Sequence, residues 1–295
     1  MWNQYFSPEN LQDALHLIGT DPVQTRLIAG GTDLVLDFST NGLPPVDALV
    51  DISNISELKK ISQYSEVITI GSAVTLSEII RSDLINRHAG ILSDAARQIA
   101  GLQIRNVATL GGNVVNASPA ADMVPPLLVL ECKVMIINSE QTTRDIPLEK
   151  FLQGNRNVDL SSGEIVTGFS FKVPEADSIQ YFRKVQNRKS MAIAILNIAI
   201  LLKIKDKRIA HARIGMGAVA STAVRIKTVE RRLAGLPVCE VDDPQLFTDI
   251  HKDISPISDF RATRNYRLSV AQNLTHQAVV EMLNYPGKNS GVSRS

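Results

Sequence analysis

Cysteine is scarce: Cys132 and Cys239 are the only two in 295 residues, far apart and outside any CxxC spacing. They cannot supply the four thiolates of an iron–sulfur cluster, nor a cysteine-rich zinc site. The five histidines, His16, His88, His211, His251 and His276, show no metal-ligand spacing. Any redox group this chain uses must therefore be organic or belong to another chain. Excess charge is missing too. A formal net charge of +1 gives no electrostatic case for nucleic acid, which needs a clustered basic face. The charge run from Arg225 to Arg232 reads as the exposed side of a helix. Long apolar runs are absent as well. The most apolar segment, Met191 to Ile204, is interrupted by Asn197 and Lys203 and falls short of the roughly 20 residues of a membrane span. The start, Met1-Trp2-Asn3-Gln4-Tyr5, lacks the basic and apolar regions of a secretory signal. A soluble, cytoplasmic chain is expected.

What is present is ordinary globular material, 44% hydrophobic and 21% charged, enough for two or three compact units. Ser7 and Pro8 suit a helix start, with Leu11, Leu15 and Ile18 following at helical spacing and Gly19 and Pro22 ending it. Arg26 to Ala29 is a short apolar run leading into Gly30-Gly31-Thr32-Asp33, with a helix or second strand after it. Strands are expected at Ala48–Ile52, Val67–Ile70 and Cys132–Ile137. Thr75 and Glu78 form a capping-box pattern, and a further helix runs from about Ile91 to Ala100. Asp122 can cap a short helix over Pro125–Glu131. Beyond about residue 175, Ile179–Gln186, Ala192–Ile204 and Ile209–Ala220 read as three sequential strands pairing antiparallel. Helices are expected over Thr222–Ala234, Pro244–Asp253 and Phe260–Leu283. Strands followed by helices give an α+β reading.

Two glycine pairs stand out, Ala29-Gly30-Gly31-Thr32-Asp33 and Thr109-Leu110-Gly111-Gly112-Asn113. A pyrophosphate needs several N–H groups facing one concavity, and glycine permits both the positive φ angles and the close approach this requires. Thr32, Thr109 and Asn113 add side-chain donors. Taken alone, a glycine pair after a strand is more often a tight turn, and neither matches the Rossmann or P-loop pattern.

Longer stretches carry a resemblance. Arg26-Leu27-Ile28-Ala29-Gly30-Gly31-Thr32-Asp33-Leu34 resembles the first FAD loop of the molybdenum hydroxylase flavoprotein subunits, the medium chains of the xanthine dehydrogenase and carbon monoxide dehydrogenase type. Gln103-Ile104-Arg105-Asn106-Val107-Ala108-Thr109-Leu110-Gly111-Gly112-Asn113 resembles their second loop, and Asn116 to Asp122 is similar to their segment beside the flavin. The carboxy-terminal Gly217-Ala218-Val219-Ala220 with Val224-Arg225 is also similar, although Ser221 and Ala223 stand where the family usually has prolines. The resemblance implies a two-part FAD-binding domain of the vanillyl-alcohol-oxidase/PCMH type over residues 1–55 and 56–174. A carboxy-terminal domain over 175–295 would hold an antiparallel three-stranded sheet with helices. It implies that Arg26 to Asp33 wrap the FAD diphosphate and adenosine side and that Thr109 to Asn113 complete the cradle. Asp122 matches a carboxylate that contacts the cofactor, Ile165 an apolar position near the flavin, and Lys184 a lysine near the ring or its tail. Ile165 reads equally as strand core and Lys184 as an edge-strand charge, while Asp122 can cap and contact at once. Arg105 is read as pairing with a carboxylate beneath the loop. Members with an extra cluster in this subunit carry it on a cysteine-rich insertion, which this chain lacks.

The implied role is electron transfer. A large molybdenum-cofactor subunit oxidises substrate, a small 2Fe-2S subunit relays electrons, and FAD here passes them to NAD+ or another acceptor, with the xanthine dehydrogenase type preferred. Two other classes stay open: a stand-alone FAD-dependent oxidoreductase, and a structural subunit whose loops hold another anion or none.

Overall fold

The structure is a computed structural model that describes residues 2–20, 25–40, 45–188 and 192–284. The helix stop read at Pro22 lies outside these residues, as do Met1 and Met191. The first unit is a parallel sheet in the order β1-β3-β2, built from β1 (Trp2–Phe6), β2 (Thr25–Ile28) and β3 (Val46–Asp51). Helix α1 (Leu11–Thr20) buries Ala14, Leu15 and Ile18 against it, and α2 (Leu34–Thr40) follows the first glycine pair. The α1 start differs from the sequence reading. Residues 2–6 form a strand, and the cap is Asn10, whose Oδ1 accepts the Asp13 N–H at 2.9 Å.

The second unit is a five-stranded antiparallel sheet in the order β4-β5-β10-β6-β7. Its strands are β4 (Ile61–Tyr64), β5 (Val67–Gly71), β6 (Lys133–Asn138), β7 (Thr143–Pro147) and β10 (Glu164–Lys172), with β8 (Leu152–Gly154) and β9 (Asn157–Val158) forming a separate hairpin. Short helices cover it: α3 (Leu76–Arg81), α4 (Asp83–His88), α5 (Gly90–Arg97), α6 (Leu102–Arg105), α7 (Leu110–Val115), α8 (Val124–Val129) and α9 (Leu148–Phe151). The capping box forms at α3, where Thr75 Oγ1 accepts from Glu78 N and Glu78 Oε2 accepts from Thr75 N at 2.7 Å.

The third unit holds β11 (Ser178–Val185), β12 (Leu196–Lys205) and β13 (Arg208–Gly217) as the expected antiparallel meander. A fourth short strand, β14 (Val224–Arg225), extends it, because Ile214 and Ile226 draw residues 224–226 alongside β13. The helix read from Thr222 accordingly begins later, as α10 (Lys227–Leu233). Residues 244–252 form a 3-10 helix, and α11 (Arg264–Asn284) closes the unit.

Strand β12 explains how the second and third units join. Its side chains alternate between two cores. Ala199 and Leu201 pack with Leu127 and Val129 of α8, while Ile198, Ile200 and Leu202 pack with Leu274 and Ala278 of α11. A strand buried on both faces needs an unbroken apolar run rather than alternation, which is why this segment is the most apolar in the chain. Every residue of α8 is buried too, as befits a helix between sheets. Each such Leu, Ile or Val contributes about 1.5–3 kcal/mol, so the two units are one folded body along this seam.

Candidate FAD site

The first glycine loop links β2 to α2 across residues 29–33. Gly31 has φ +69°, a conformation that costs glycine little and other residues more. Two of the loop carbonyls are occupied: Gly31 O accepts from Val35 N at 3.0 Å, and Asp33 O from Asp37 N at 2.8 Å. The donors are not. Among the described residues no acceptor takes the N–H of Gly30, Gly31, Thr32 or Asp33. Four successive uncommitted amides about a positive-φ glycine make the kind of concavity that binds anions. Buried amides are rarely left unpaired, so these half-buried to exposed groups point to water or a ligand.

The two loops meet at Gly30. A Cβ there would lie 2.0 Å from Val107 O and 2.9 Å from Ala108 Cα. The first motif therefore rests directly on the backbone leading into the second.

The second motif differs from its reading as another amide nest. Residues 108–110 pair with 74–76, with Leu76 N donating to Ala108 O and Leu110 N to Val74 O, each at 2.9 Å. Gly111 N donates to Ser72 O at 2.8 Å, Gly112 N to Thr109 Oγ1 at 3.0 Å, and Asn113 N to Thr109 O at 3.0 Å. All four amides from Leu110 to Asn113 serve the protein, and Leu110 packs in the core. Thr109 Oγ1 accepts as the cap of α7, a bond that uses a lone pair and not its O–H. What remains for a ligand is the Thr109 O–H, the exposed Gly112 surface and the Asn113 side-chain amide, whose Oδ1 accepts from Met123 N at 3.3 Å. The two glycines consequently do different work. A Cβ on Gly111 would lie 2.6 Å from Ser72 O, whereas one on Gly112 meets only Thr109 Oγ1, at 3.1 Å. Gly111→Val is expected to cost roughly 3 kcal/mol of folding stability through backbone overlap. Gly112→Val is expected to lose no more than about 1 kcal/mol, the scale of helix-propensity differences, while impairing FAD uptake. Urea unfolding of the two variants, with flavin content measured alongside, checks the contrast.

Asp122 does not cap α8. That helix starts without a side-chain cap, and the Asp122 carboxylate turns instead into the seam between the second and third units. There Oδ2 accepts from Lys184 Nζ at 2.7 Å and Oδ1 from Asn197 Nδ2 at 2.7 Å; Lys184 Nζ also donates to Gln98 O at 3.1 Å. The Lys184 side chain is only 2% exposed, so the surface-charge alternative for it is excluded even though β11 is an edge strand. Burial pushes the Asp122 carboxyl up, opposed by the Lys184 ammonium and the Asn197 amide. Among the described residues, Asn197 Oδ1 is buried with no hydrogen-bond partner. Nothing in the sequence pattern pointed to Asn197 beyond its polar intrusion into an apolar run, nor to Gln98, which contributes only a carbonyl.

Two other residues have protein partners of their own. Ile165 is fully buried among Ala14, Leu15, Val50 and Ala73, which gives it a packing role. Arg105 donates to the carbonyls of Ile99 and Ala100, both at 2.8 Å, rather than to a carboxylate. It finishes the turn after α5, where Ala100 holds φ +41°. At the head of the first motif, Arg26 is exposed and Leu27, Ile28 and Ala29 are half-buried.

Residues 2–176 match the family model of the FAD binding domain in molybdopterin dehydrogenase, and residues 180–282 match the CO dehydrogenase flavoprotein C-terminal domain. This chain belongs to the FAD-binding medium subunits of the molybdenum hydroxylases. A putative xanthine dehydrogenase FAD-binding subunit of Escherichia coli is 30% identical over 279 residues, covering 94% of each chain. The glyceraldehyde dehydrogenase medium chain of Sulfolobus acidocaldarius is 29% identical, with 94% of this chain and 97% of that one covered. Among solved structures, quinoline 2-oxidoreductase from Pseudomonas putida matches with TM-score 0.88 and 26% identity, covering 95% of this chain and 96% of that chain. CO dehydrogenase from Oligotropha carboxidovorans matches with TM-score 0.88 and 25% identity, covering 95% and 97%.

For a medium subunit of this family, FAD is the cofactor, and the geometry fits it. The uncommitted amides of residues 30–33 suit a diphosphate, and the open Gly112 surface lets a ligand lie close to the backbone.

Proposed function

We propose that this subunit holds FAD by its diphosphate and adenosine side on Arg26 to Asp33, with Gly112 and Asn113 closing the cradle. Electrons arrive from the 2Fe-2S clusters of a small partner subunit, which takes them from a large molybdenum-cofactor subunit, and leave to NAD+; the complex is cytoplasmic. When bound, FAD accepts electrons one at a time and releases them in pairs, and the protein's part is to place and tune it. The residues of this chain bind and orient. The Gly30 to Asp33 amides take the anionic charge, and the Gly30 contact with Val107 fixes the separation of the two motifs. Asp122, Lys184 and Asn197 hold the third unit against the second. No general base or nucleophile in this chain is called for.

The observation carrying this reading is the set of four successive uncommitted amides in the first loop. The xanthine dehydrogenase type is our preferred class, supported by relatives of that name at 30% identity over 94% of this chain. The test is to purify the chain with the subunits that accompany it, assay the complex for flavin, molybdenum and iron, and supply xanthine with NAD+. Reduction of NAD+ that disappears in a Gly112→Val complex is the expected result. A complex that oxidises xanthine with an artificial dye but never reduces NAD+ would remove NAD+ as the acceptor.

A further inference from the structure

We propose that Arg156 is a positioning residue that holds the two FAD loops in register, an inference that rests on the FAD placement above. Arg156 sits in the β8–β9 hairpin with φ +58°, a left-handed conformation that favours glycine or asparagine over a long side chain. Its guanidinium bridges two helices. Nη1 donates to Asp37 Oδ2 at 2.6 Å and to Asn116 Oδ1 at 2.7 Å, and Nη2 to Asp37 Oδ1 at 3.4 Å. Its backbone N–H donates to Ala117 O at 3.1 Å.

The two anchor points are equivalent in a telling way. Asp37 lies one helical turn beyond the first loop, its N–H bonded to Asp33 O at 2.8 Å. Asn116 lies one turn beyond the second, its N–H bonded to Gly112 O at 3.0 Å. Helix α2 has 7 residues and α7 has 6, and helices this short do not hold an orientation by themselves. Tertiary ties must do it. Gly30 against Val107 supplies one tie, and Arg156 supplies a second from a hairpin remote in sequence. The planar guanidinium can reach a carboxylate and an amide oxygen together in fixed geometry, whereas a lysine ammonium cannot reproduce that fork. A cradle held at its working separation before the ligand arrives spares the ligand the cost of ordering it.

The experiment titrates FAD into the FAD-free full-length chain and its Arg156→Ala, Arg156→Lys and Asn116→Ala variants, following quenching of flavin fluorescence. It is run well below each variant's unfolding temperature, with circular dichroism confirming the fold. Arg156→Ala is expected to raise the Kd for FAD about tenfold or more, Arg156→Lys nearly as much, and Asn116→Ala by several-fold. A purely structural arginine would lower the unfolding temperature and leave the Kd of the folded protein alone. Should Arg156→Ala fail to fold, Arg156→Lys and Asn116→Ala carry the test. A Kd within about twofold of wild type in the folded variants overturns the proposal. FAD that does not bind wild-type protein overturns instead the placement on which it rests, and Arg156 with it.

Discussion

Gly30→Val is expected to abolish FAD retention and to lower folding stability by about 3 kcal/mol or more, the upper range for forced overpacking. The added Cβ would lie 2.0 Å from Val107 O and 2.6 Å from the same residue's carbonyl carbon. These are backbone atoms, and the segment they belong to is pinned by the pairing of 108–110 with 74–76. Neither side can give way cheaply, so the first loop must lift off the second. Even Gly30→Ala places the same Cβ and should lose most of the flavin. Urea unfolding and the absorbance of the purified variant read both effects. Wild-type stability with a full flavin spectrum would mean the two motifs do not touch as described.

The second large effect is expected at the seam between units. Lys184→Ala removes the cation from a carboxylate that is only 6% exposed, leaving Asp122 with the Asn197 amide alone. Breaking a buried pair from one side typically costs about 3–5 kcal/mol, mostly through the stranded charge. Burial already pushes the Asp122 carboxyl up, and losing Lys184 removes the main opposing influence. A carboxyl whose folded pKa exceeds its unfolded value contributes stability at low pH that is lost as pH rises through the folded pKa. The Lys184→Ala defect should therefore be smallest in acid and grow as pH rises from about 4 toward neutrality. Pairing Lys184→Met with Asp122→Asn leaves no buried charge and should recover much of the loss. Urea midpoints across pH decide it, and a small, pH-independent effect would show that the pair carries little. A lysine that the resemblance places near the flavin ring or its tail thus also ties the third unit to the second.

How much of this was legible in the sequence varies with the physics behind each feature. The Thr75–Glu78 capping box and the three-strand meander are local or strongly patterned, and both formed as read. The helix start at Ser7 failed because the strand pairing of Trp2–Phe6 with β3 is a contact across more than 40 residues that no local pattern announces. The two glycine pairs look alike in sequence, yet one presents free amides and the other a helix start whose amides are spent. The difference lies in what each packs against: Gly111 is pressed onto Ser72, while Gly31 holds a left-handed turn. Asp122 does not cap as read, because a good capping residue found a distant lysine instead. Arg156 and Asn197 were missed for the same reason, since their partners lie 40 to 119 positions away.

In the proposed placement the first loop's uncommitted amides hold the FAD diphosphate. The most direct measurement is isothermal titration of the FAD-free chain with FAD and, separately, with riboflavin, which lacks the diphosphate and the adenosine. FAD is expected to bind at one site per chain and riboflavin at least about a thousandfold more weakly, a difference of roughly 4 kcal/mol. Equal affinities for the two ligands would contradict this placement.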